Sequence, residues 1–455
     1  MTTDKAGLPP ALVRARDYCR RWDMLPPAGG VMLCALSGGR DSMALLCFLQ
    51  TLAEEGGFTL QAAHYHHGLR PTADRDRDFV RAWCARRGIP LTCGAGDVSG
   101  WARARGASLE DAARTLRYRF LREAAEAAGA CRIATAHHRQ DNAETVLLHL
   151  LRGSGLRGLG GIPPVRGRIV RPFLETDRRD IEAYLNENHI PYVEDESNAD
   201  AAYTRNRLRL EVLPLLEAVS PGCTARIAAA AELLRADEAH LEAACAALTP
   251  APAGDRVVLP ASTLAGQDLA LRRRLVRAMA RQLGGELTAA QTNAVLALGS
   301  GGAADLPGGL RAFREPHRLT VRRLPPVPPP LALRLGEQPW GGGVLRAWES
   351  DDAGEAPPRG AAAVLAARAL SAPMTVALWD GAGRLAVENG SRTIKRLFAD
   401  RGIPLDRREE HPVLYRAGRP AAVLGVAVDW PLRPRPGERV LTVVWEKEEK
   451  DCELL

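Results

Sequence analysis

Six residues near the N-terminus combine glycines, hydroxyl groups and a carboxylate in a pattern suited to holding phosphate. The hexapeptide is Ser37-Gly38-Gly39-Arg40-Asp41-Ser42. It follows the apolar run 31–36 and precedes the apolar series 43–46. Adjacent glycines let the backbone approach a ligand, and a following helix offers free N–H groups and the positive end of its dipole. The segment therefore predicts an anion-binding turn between a buried strand and a helix.

The carboxylate in this turn points to a metal as well as to phosphate. The lysine of the common nucleotide-binding loop, Gly-x-x-x-x-Gly-Lys-Ser/Thr, is absent. A carboxylate such as Asp41 is compatible with phosphates when Mg²⁺ lies between them. The plain alternative is a Gly-Gly turn without a ligand, which a lone pair of glycines would favour. Strand, hexapeptide and helix together favour a site in which Ser37–Ser42 bind phosphate and Asp41 shares Mg²⁺ with it.

A second group of polar residues follows a later predicted strand. His137 lies just past the strand end, and Asp141 and Glu144 are three positions apart, so they share one face of the next helix. Acidic residues in a first helical turn are often only partners of the helix dipole. A carboxylate pair that faces the same crevice as Asp41 could instead hold Mg²⁺ or bind a cationic substrate.

Arginines on two further segments are candidates for phosphate binding. Arg114 lies on the predicted helix 109–128 and shares a face with Arg117, which fits a phosphate contact and a solvated helix face equally well. Arg205 is the first of three alternating arginines behind an acidic run. That pattern fits either a salt-bridged helix start or an edge that faces phosphate.

Alternating apolar segments indicate the elements that position these residues. Strands are predicted at 31–36, 60–65, 90–93 and 132–136, and helices at 8–24, 75–87, 109–128 and 141–151. This alternation predicts an α/β fold, a doubly wound parallel sheet covered on both faces. Ligands bind such sheets beyond the carboxyl ends of the strands. The segments 37–42, 64–70 and 136–144 are expected to gather there.

The 455 residues are too many for one core. The α/β domain is predicted over 1–215. Alanine- and leucine-rich sequence predicts a helical domain over 216–325, and a proline-rich stiff linker follows at 324–330. Short strands and a basic helix predict a small α+β domain over 331–455.

Composition restricts the classes of function. The net charge of +7 is compatible with a polyanionic partner or with a solvated, arginine-rich surface. The nine cysteines include no Cys-x-x-Cys pair and are expected to be reduced core residues. Without a signal-peptide pattern or a membrane-spanning apolar run, we expect a cytoplasmic protein with no membrane association. The oligomeric state stays open, with a homodimer as one option.

Taken in order, the motifs resemble those of the tRNA(Ile)-lysidine synthetases, a family of PP-loop ATPases with an adenine nucleotide alpha-hydrolase-like fold. The resemblance is strong over residues 30–215 and weaker beyond. Its motifs are SGGRDS, HYHHGLR, EDAARTLRY, TAHHRQDNAET, LLRGSG, RPFLE, EDESN and TRNRLR. Two positions depart from the family, which often has Asp where Gln140 stands and Asn where His66 stands.

The resemblance implies an enzyme that uses ATP, Mg²⁺ and free L-lysine. Its tRNA substrate would be the isoleucine tRNA with a CAU anticodon, whose wobble cytidine becomes lysidine. The cytidine O2 would attack the α-phosphate of ATP and release pyrophosphate, and the lysine ε-amine would then displace AMP from C2. Adenylation converts an unreactive oxygen into a leaving group.

The family motifs also imply roles for single residues. His137, Asp141 and Glu144 would lie at the active centre, with the two acids binding the cationic lysine. Arg114 and Arg205 would contact phosphate or the reaction intermediate. The helical and C-terminal domains would bind the acceptor stem and body of the tRNA.

Three alternatives stay open at this point. A cytidine thiolase of the same superfamily would need cysteines for persulfide or iron–sulfur chemistry, and the missing Cys-x-x-Cys argues against it. An amide-forming synthetase with a small acceptor leaves the basic C-terminal half unexplained. A tRNA-binding factor without activity would not need an intact Asp41, Asp141 and Glu144.

Overall fold

The structure is a computed structural model, and it describes residues 8–66, 73–194, 204–351 and 361–447. Parts of the motifs at 64–70 and 194–209 therefore lie outside the described residues. The chain forms two compact units, Met1–His240 and Leu241–Leu455. Among the described residues no helix is long and apolar enough to cross a bilayer.

The first unit contains a six-stranded sheet in the order β3-β2-β1-β4-β6-β5. Its strands are β1 Val31–Ala35, β2 Thr59–His66, β3 Leu91–Ala95, β4 Arg132–Ala134, β5 Val165–Arg166 and β6 Ile169–Val170. All neighbouring pairs are parallel except β5 and β6. Along β1, Met32 and Cys34 join one buried cluster while Leu33 and Ala35 join another. Both faces of the sheet are thus covered, which confirms the predicted doubly wound parallel sheet.

Helices connect and cover these strands. They are α1 Pro10–Arg21, α2 Arg40–Gly56, α3 Ala73–Arg86, α4 Val98–Arg105, α5 Leu109–Ala127, α6 Arg139–Leu151, α7 Leu156–Leu159, α8 Arg178–Glu187, α9 Thr204–Arg207, α10 Leu213–Val219 and α11 Cys223–Leu248. A π-helix, Leu208–Val212, joins α9 to α10. Every strand and helix predicted before residue 151 is present. The sequence did not predict α4 or the β5–β6 hairpin, because such short elements carry little periodicity.

The helical prediction for 216–325 is correct but incomplete. Its helices are α11, α12 Ala261–Ala265, α13 Leu269–Gln282 and α14 Ala289–Leu296. The same region also contains an antiparallel sheet in the order β7-β10-β9-β8, with β7 Arg256–Pro260, β8 Gly302–Leu306, β9 Leu310–Arg314 and β10 Arg318–Arg323. Thr320 and Arg322 are buried within β10. Buried polar residues hide the apolar alternation by which a strand is recognised.

The C-terminal region confirms the predicted small α+β domain. Its elements are β11 Leu331–Ala332, β12 Gly336–Trp340, β13 Gly343–Ser350, β14 Ala361–Ala366, β15 Met374–Leu378, β16 Arg384–Val387, β17 Gly390–Thr393, α15 Ile394–Asp400, β18 Pro412–Arg416, β19 Arg419–Val423, β20 Ala427–Val428 and β21 Val440–Lys447. One sheet has the order β11-β15-β18-β19-β20 and another β12-β13-β21-β14. Residues of both sheets share one buried cluster.

Buried ion pairs connect this domain to the preceding sheet within the second unit. Arg322, which is 2% exposed, donates from Nε to Asp255 Oδ2 at 2.7 Å and from Nη1 to the Asp406 carbonyl at 2.6 Å. Arg256 donates to the buried Asp406 carboxylate at 2.7 Å. Hydrophobic clusters on the two sides of the linker are separate. This fits the predicted boundary at 325–331, and the three-domain division stays a prediction.

Candidate active site

The site lies where two neighbouring parallel strands end. β1 and β4 are adjacent, and the chain leaves β1 toward β2 on one side and β4 toward β6 on the other. Such a reversal of strand order opens a crevice at the carboxyl ends of the strands. The turn at 37–42 follows β1 and the segment 135–144 follows β4, so the two predicted groups of residues meet as expected.

The turn after β1 is held in a preformed shape. Gly38 has a φ of +89°, and a Cβ there would lie 3.1 Å from Val80 Cγ1, so a side chain is disfavoured by both conformation and space. Ser42 Oγ accepts from the Ser37 backbone N–H at 3.1 Å and donates to the Gly39 carbonyl at 2.9 Å. Gly39 is the N-cap of α2, and no side chain of the described residues caps this helix. N–H groups of the first helical turn therefore stay available to an anion.

Arg40 contributes its backbone but not its side chain to the turn. Its guanidinium forms an ion pair with Glu182 on α8 and lies 5.6 Å from the ring centroid of Tyr192. These contacts direct the side chain toward α8. The predicted role of Arg40 in binding the cofactor is thus restricted to its N–H group.

Asp41 presents a carboxylate oxygen that lacks a protein partner. Its Oδ1 is buried and accepts no hydrogen bond within the described residues, while Oδ2 lies 3.8 Å from His138 Nε2. A buried carboxylate oxygen without a partner is costly unless a ligand satisfies it. Mg²⁺ takes carboxylate oxygens and is usually shared with phosphates, so Asp41 fits this metal. The described residues contain no group of three or more side chains that would hold a metal without phosphate.

The two histidines after β4 have different surroundings. His137 Nδ1 lies 3.0 Å from Thr135 Oγ1, and the residue is half-buried. Burial lowers the pKa of His137 to about 3, against the opposing effect of Asp141. The imidazole is therefore neutral at physiological pH. His138 is 3% exposed and its Nε2 lies 3.5 Å from Asp141 Oδ2.

His138 is a site residue that the sequence analysis missed. Its Nε2 lies 3.8 Å from Asp41 Oδ2 in the turn and 3.5 Å from Asp141 Oδ2 on α6, whereas within the described residues no hydrogen bond or ion pair joins His137 to Asp41. The sequence did contain the adjacent pair His137-His138. Residue types alone, however, do not show which of two neighbouring imidazole rings faces a ligand. His138 is also the N-cap residue of α6, and its backbone N–H donates to Asp141 Oδ2 at 3.0 Å.

Asp141 and Glu144 lie together and are paired with arginines. Glu144 is fully buried, and its oxygens accept from Arg205 Nε at 3.0 Å and from Arg209 Nε at 2.6 Å. Arg209 Nη2 also donates to Asp141 Oδ1 at 2.9 Å. Burial would raise the pKa of Asp141, but His138, His137 and the arginines outweigh it and lower that pKa. Both predicted acids and Arg205 therefore lie together, and Arg205 and Arg209 form ion pairs with α6 rather than with the acidic run before them.

Arg114 and Arg117 occupy different positions although both lie on α5. Arg114 is exposed, and its guanidinium lies 5.0 Å from the ring centroid of Tyr118. Arg117 is less exposed; burial lowers its pKa, and its charge lowers the pKa of both His64 and His137. Arg117 is therefore within electrostatic reach of His64 and His137. The spacing of three could not show that the two arginines have different surroundings, and the role of Arg114 stays a prediction.

Matches to known protein families cover two separate parts of the chain. Residues 24–216 match the model of a PP-loop domain, and residues 375–445 match that of the TilS substrate C-terminal domain. Together with the phosphate-binding turn, the first match defines an ATP-binding enzyme of the PP-loop class.

Whole-chain relatives narrow the class to one family. The chain is 32% identical to tRNA(Ile)-lysidine synthase of Geobacter sulfurreducens, over 95% of this chain and 96% of that one. It is 35% identical to the synthase of Symbiobacterium thermophilum, over 94% and 96% of the two chains. It is also 35% identical to that of Azoarcus sp., over 91% of each. The chain belongs to the tRNA(Ile)-lysidine synthase (synthetase) family and is a ligase, which confirms the resemblance found in its motifs.

Proposed function

We propose that this enzyme joins the ε-amine of free L-lysine to C2 of the wobble cytidine in the isoleucine tRNA with a CAU anticodon. ATP first adenylates the cytidine O2. The observation that carries the proposal is the meeting of a phosphate-binding turn and a buried carboxylate pair at the ends of β1 and β4, linked through His138. We further propose a cytoplasmic location, where this tRNA and free lysine are available. Light scattering would show whether the protein forms a homodimer.

The turn would serve the adenylation step. The cytidine O2 attacks the α-phosphorus of ATP, a new P–O bond forms, and the bond to the pyrophosphate oxygen breaks. N–H groups at the start of α2 would hold the phosphates, and the Arg117 guanidinium would stabilise charge on the phosphoryl oxygens. Mg²⁺ bound by Asp41 Oδ1 and the phosphates would offset their negative charge.

The acidic pair would serve the second step. The lysine ε-ammonium first gives one proton to solvent, and the free amine attacks C2. A C–N bond forms, the C2–O2 bond breaks and AMP leaves with that oxygen, while the new nitrogen gives a second proton to solvent. Asp141 and Glu144 would bind the cationic amino acid. Arg205 and Arg209 neutralise these acids before lysine binds, and they would turn to the phosphate of the adenylated base once it forms.

The experiment combines purified protein, ATP, radiolabelled lysine and the unmodified tRNA. We expect label to enter the tRNA, with AMP and pyrophosphate formed in equal amounts. A transcript with uridine at the wobble position is the matched control and should stay unlabelled. Failure of folded protein to label the cytidine transcript would refute the proposal.

A further inference from the structure

A cavity in the second unit shares no lining residue with the site described above. It has a volume of about 490 Å³ and is lined by segments of β14 and β20, by Gly425 and Val426, and by Arg401 and Arg433. β14 and β20 are each the last strand of their sheet. The cavity therefore lies beside two sheet edges, which a hydrogen bond from the Gly425 N–H to the Ala362 carbonyl joins at 2.7 Å.

The charge of this cavity is positive. Arg401 and Arg433 are both exposed, and neither guanidinium has an acidic partner in the part of the chain that the structure describes. Acidic side chains nearby are already engaged: Asp400 with Arg392 and Arg396, and Glu438 with Arg368. The remaining lining side chains are small and uncharged. An anionic ligand is therefore favoured.

Arg433 also lies over an aromatic ring. Its guanidinium carbon lies 4.8 Å from the ring centroid of Trp430, and Trp430 is 40% exposed. Guanidinium planes and exposed indole rings are surfaces on which nucleobases stack. Trp430 does not line the cavity itself, so the two arginines that could bind a phosphate lie beside an exposed aromatic ring on which a base could stack.

We propose that this cavity binds an unpaired nucleotide at the 3′ end of the tRNA, with Arg401 and Arg433 at its phosphates. This inference rests on the proposed function for the identity of the RNA. A double helix is convex and keeps its bases stacked, so it cannot fill a concave pocket, whereas an unstacked nucleotide can. The 3′ end is the unpaired segment of a tRNA that no internal structure holds. A volume of this size is ordinary for a small-ligand site.

The test compares two transcripts of the same tRNA, one complete and one lacking its unpaired 3′ nucleotides. Arg401→Gln and Arg433→Gln should each weaken binding of the complete transcript about fivefold to tenfold and should leave binding of the shortened transcript unchanged. Each should also lower the slope of log affinity against log salt by about 0.7. Arg419→Gln, an exposed arginine of the same domain outside the cavity, is the matched control and should change neither.

Several outcomes would overturn the inference. Equal weakening of both transcripts would mean contact with the double-stranded stem, and no weakening of either would mean that the cavity binds no RNA. Displacement of a 3′-terminal oligonucleotide by an acidic peptide at equal concentration would indicate a protein ligand instead. Lysine labelling by the unmodified enzyme tests the proposed function separately, since affinity ratios of the two transcripts do not depend on catalysis.

Discussion

Asp41 has a carboxylate charge that is central to the proposed site, because its buried Oδ1 has no hydrogen-bond partner among the described residues. We expect Asp41→Asn to lower AMP release and lysine transfer by about 10²-fold or more, since the amide removes the negative charge that Mg²⁺ needs. Affinity for tRNA should stay within about twofold, because phosphate-neutralising contacts to RNA lie elsewhere. Product formation and filter binding would measure the two effects.

The control for this change is Asp180→Asn, an acidic residue in the first turn of α8. Asp180 lies 3.6 Å from Arg14 at the surface, and neither activity nor binding should change. Equal loss of tRNA affinity in Asp41→Asn would contradict a role confined to ATP and metal.

Arg117 and Arg114 give a second comparison of single residues. Arg117→Lys should lower the rate of pyrophosphate release by about 10²-fold, because an ammonium cannot reproduce the planar, two-pronged hydrogen bonding of a guanidinium. Arg114→Lys should stay near the unmodified rate, since its side chain lies over Tyr118 at the surface. Rapid-quench measurement of pyrophosphate would check this. A larger loss in Arg114→Lys than in Arg117→Lys would reverse the assignment.

The contact between α6 and the segment from α9 to Val212 depends on buried charges that each need a partner of opposite sign. Arg209→Met would leave the fully buried Glu144 with Arg205 as its remaining cation, and should lower the free energy of unfolding by about 3 kcal/mol. Adding Glu144→Gln should recover part of that loss, because the buried charge is then gone. Denaturant titration of single and double variants measures the coupling. Strict additivity would show that the pair is not energetically linked.

Helix α11 begins with a carboxylate cap that gives a pH-dependent prediction. Glu217 accepts from the backbone N–H groups of Thr224 at 2.8 Å and of Gly222 at 2.6 Å. Hydrogen bonds from Thr224 and then Gly222 lower the pKa of Glu217 from 4.5 to about 2. Since the folded pKa lies below the unfolded one, the stabilisation is complete above the unfolded pKa and is lost as pH falls from 4.5 toward 2.

Thermal unfolding as a function of pH tests this cap. Glu217→Gln should lower the melting temperature at neutral pH and reduce its decline between about pH 5 and pH 3. Glu211→Gln, at an exposed position paired with Arg207, is the control and should have little effect. A decline in Glu217→Gln as steep as in the unmodified protein would rule out the cap as its source.

Regular elements with clear periodicity could be predicted from the sequence, and the site residues only in part. The parallel sheet follows from apolar strands that alternate with amphipathic helices, and the crevice follows from where strands end. β10 was missed because Arg322 is buried by ion pairs that form only in the folded chain. Similarly, choosing His138 over His137 as the partner of Asp41 requires side-chain orientation, which residue spacing does not contain.

At the scale of the whole molecule, each compact unit has hydrophobic clusters of its own, so we expect two unfolding transitions in calorimetry. Arg322→Met should lower only one of them, because it leaves Asp255 and Glu410 without this partner in the second unit. ATP binding by the first unit should be unchanged. A shift of both transitions by the same amount would indicate a single cooperative unit.

Arginine supplies nearly all the positive charge of this chain, and no lysine occurs between residues 6 and 394. The cations beside the carboxylate pair, Arg205 and Arg209, are guanidinium groups, which delocalise their charge and do not act as nucleophiles. An activated nucleobase held among them meets no primary amine tethered to the first unit's described residues. We therefore expect the groups proposed to stabilise the electrophile to be inert toward it, so that the enzyme does not modify its own side chains there.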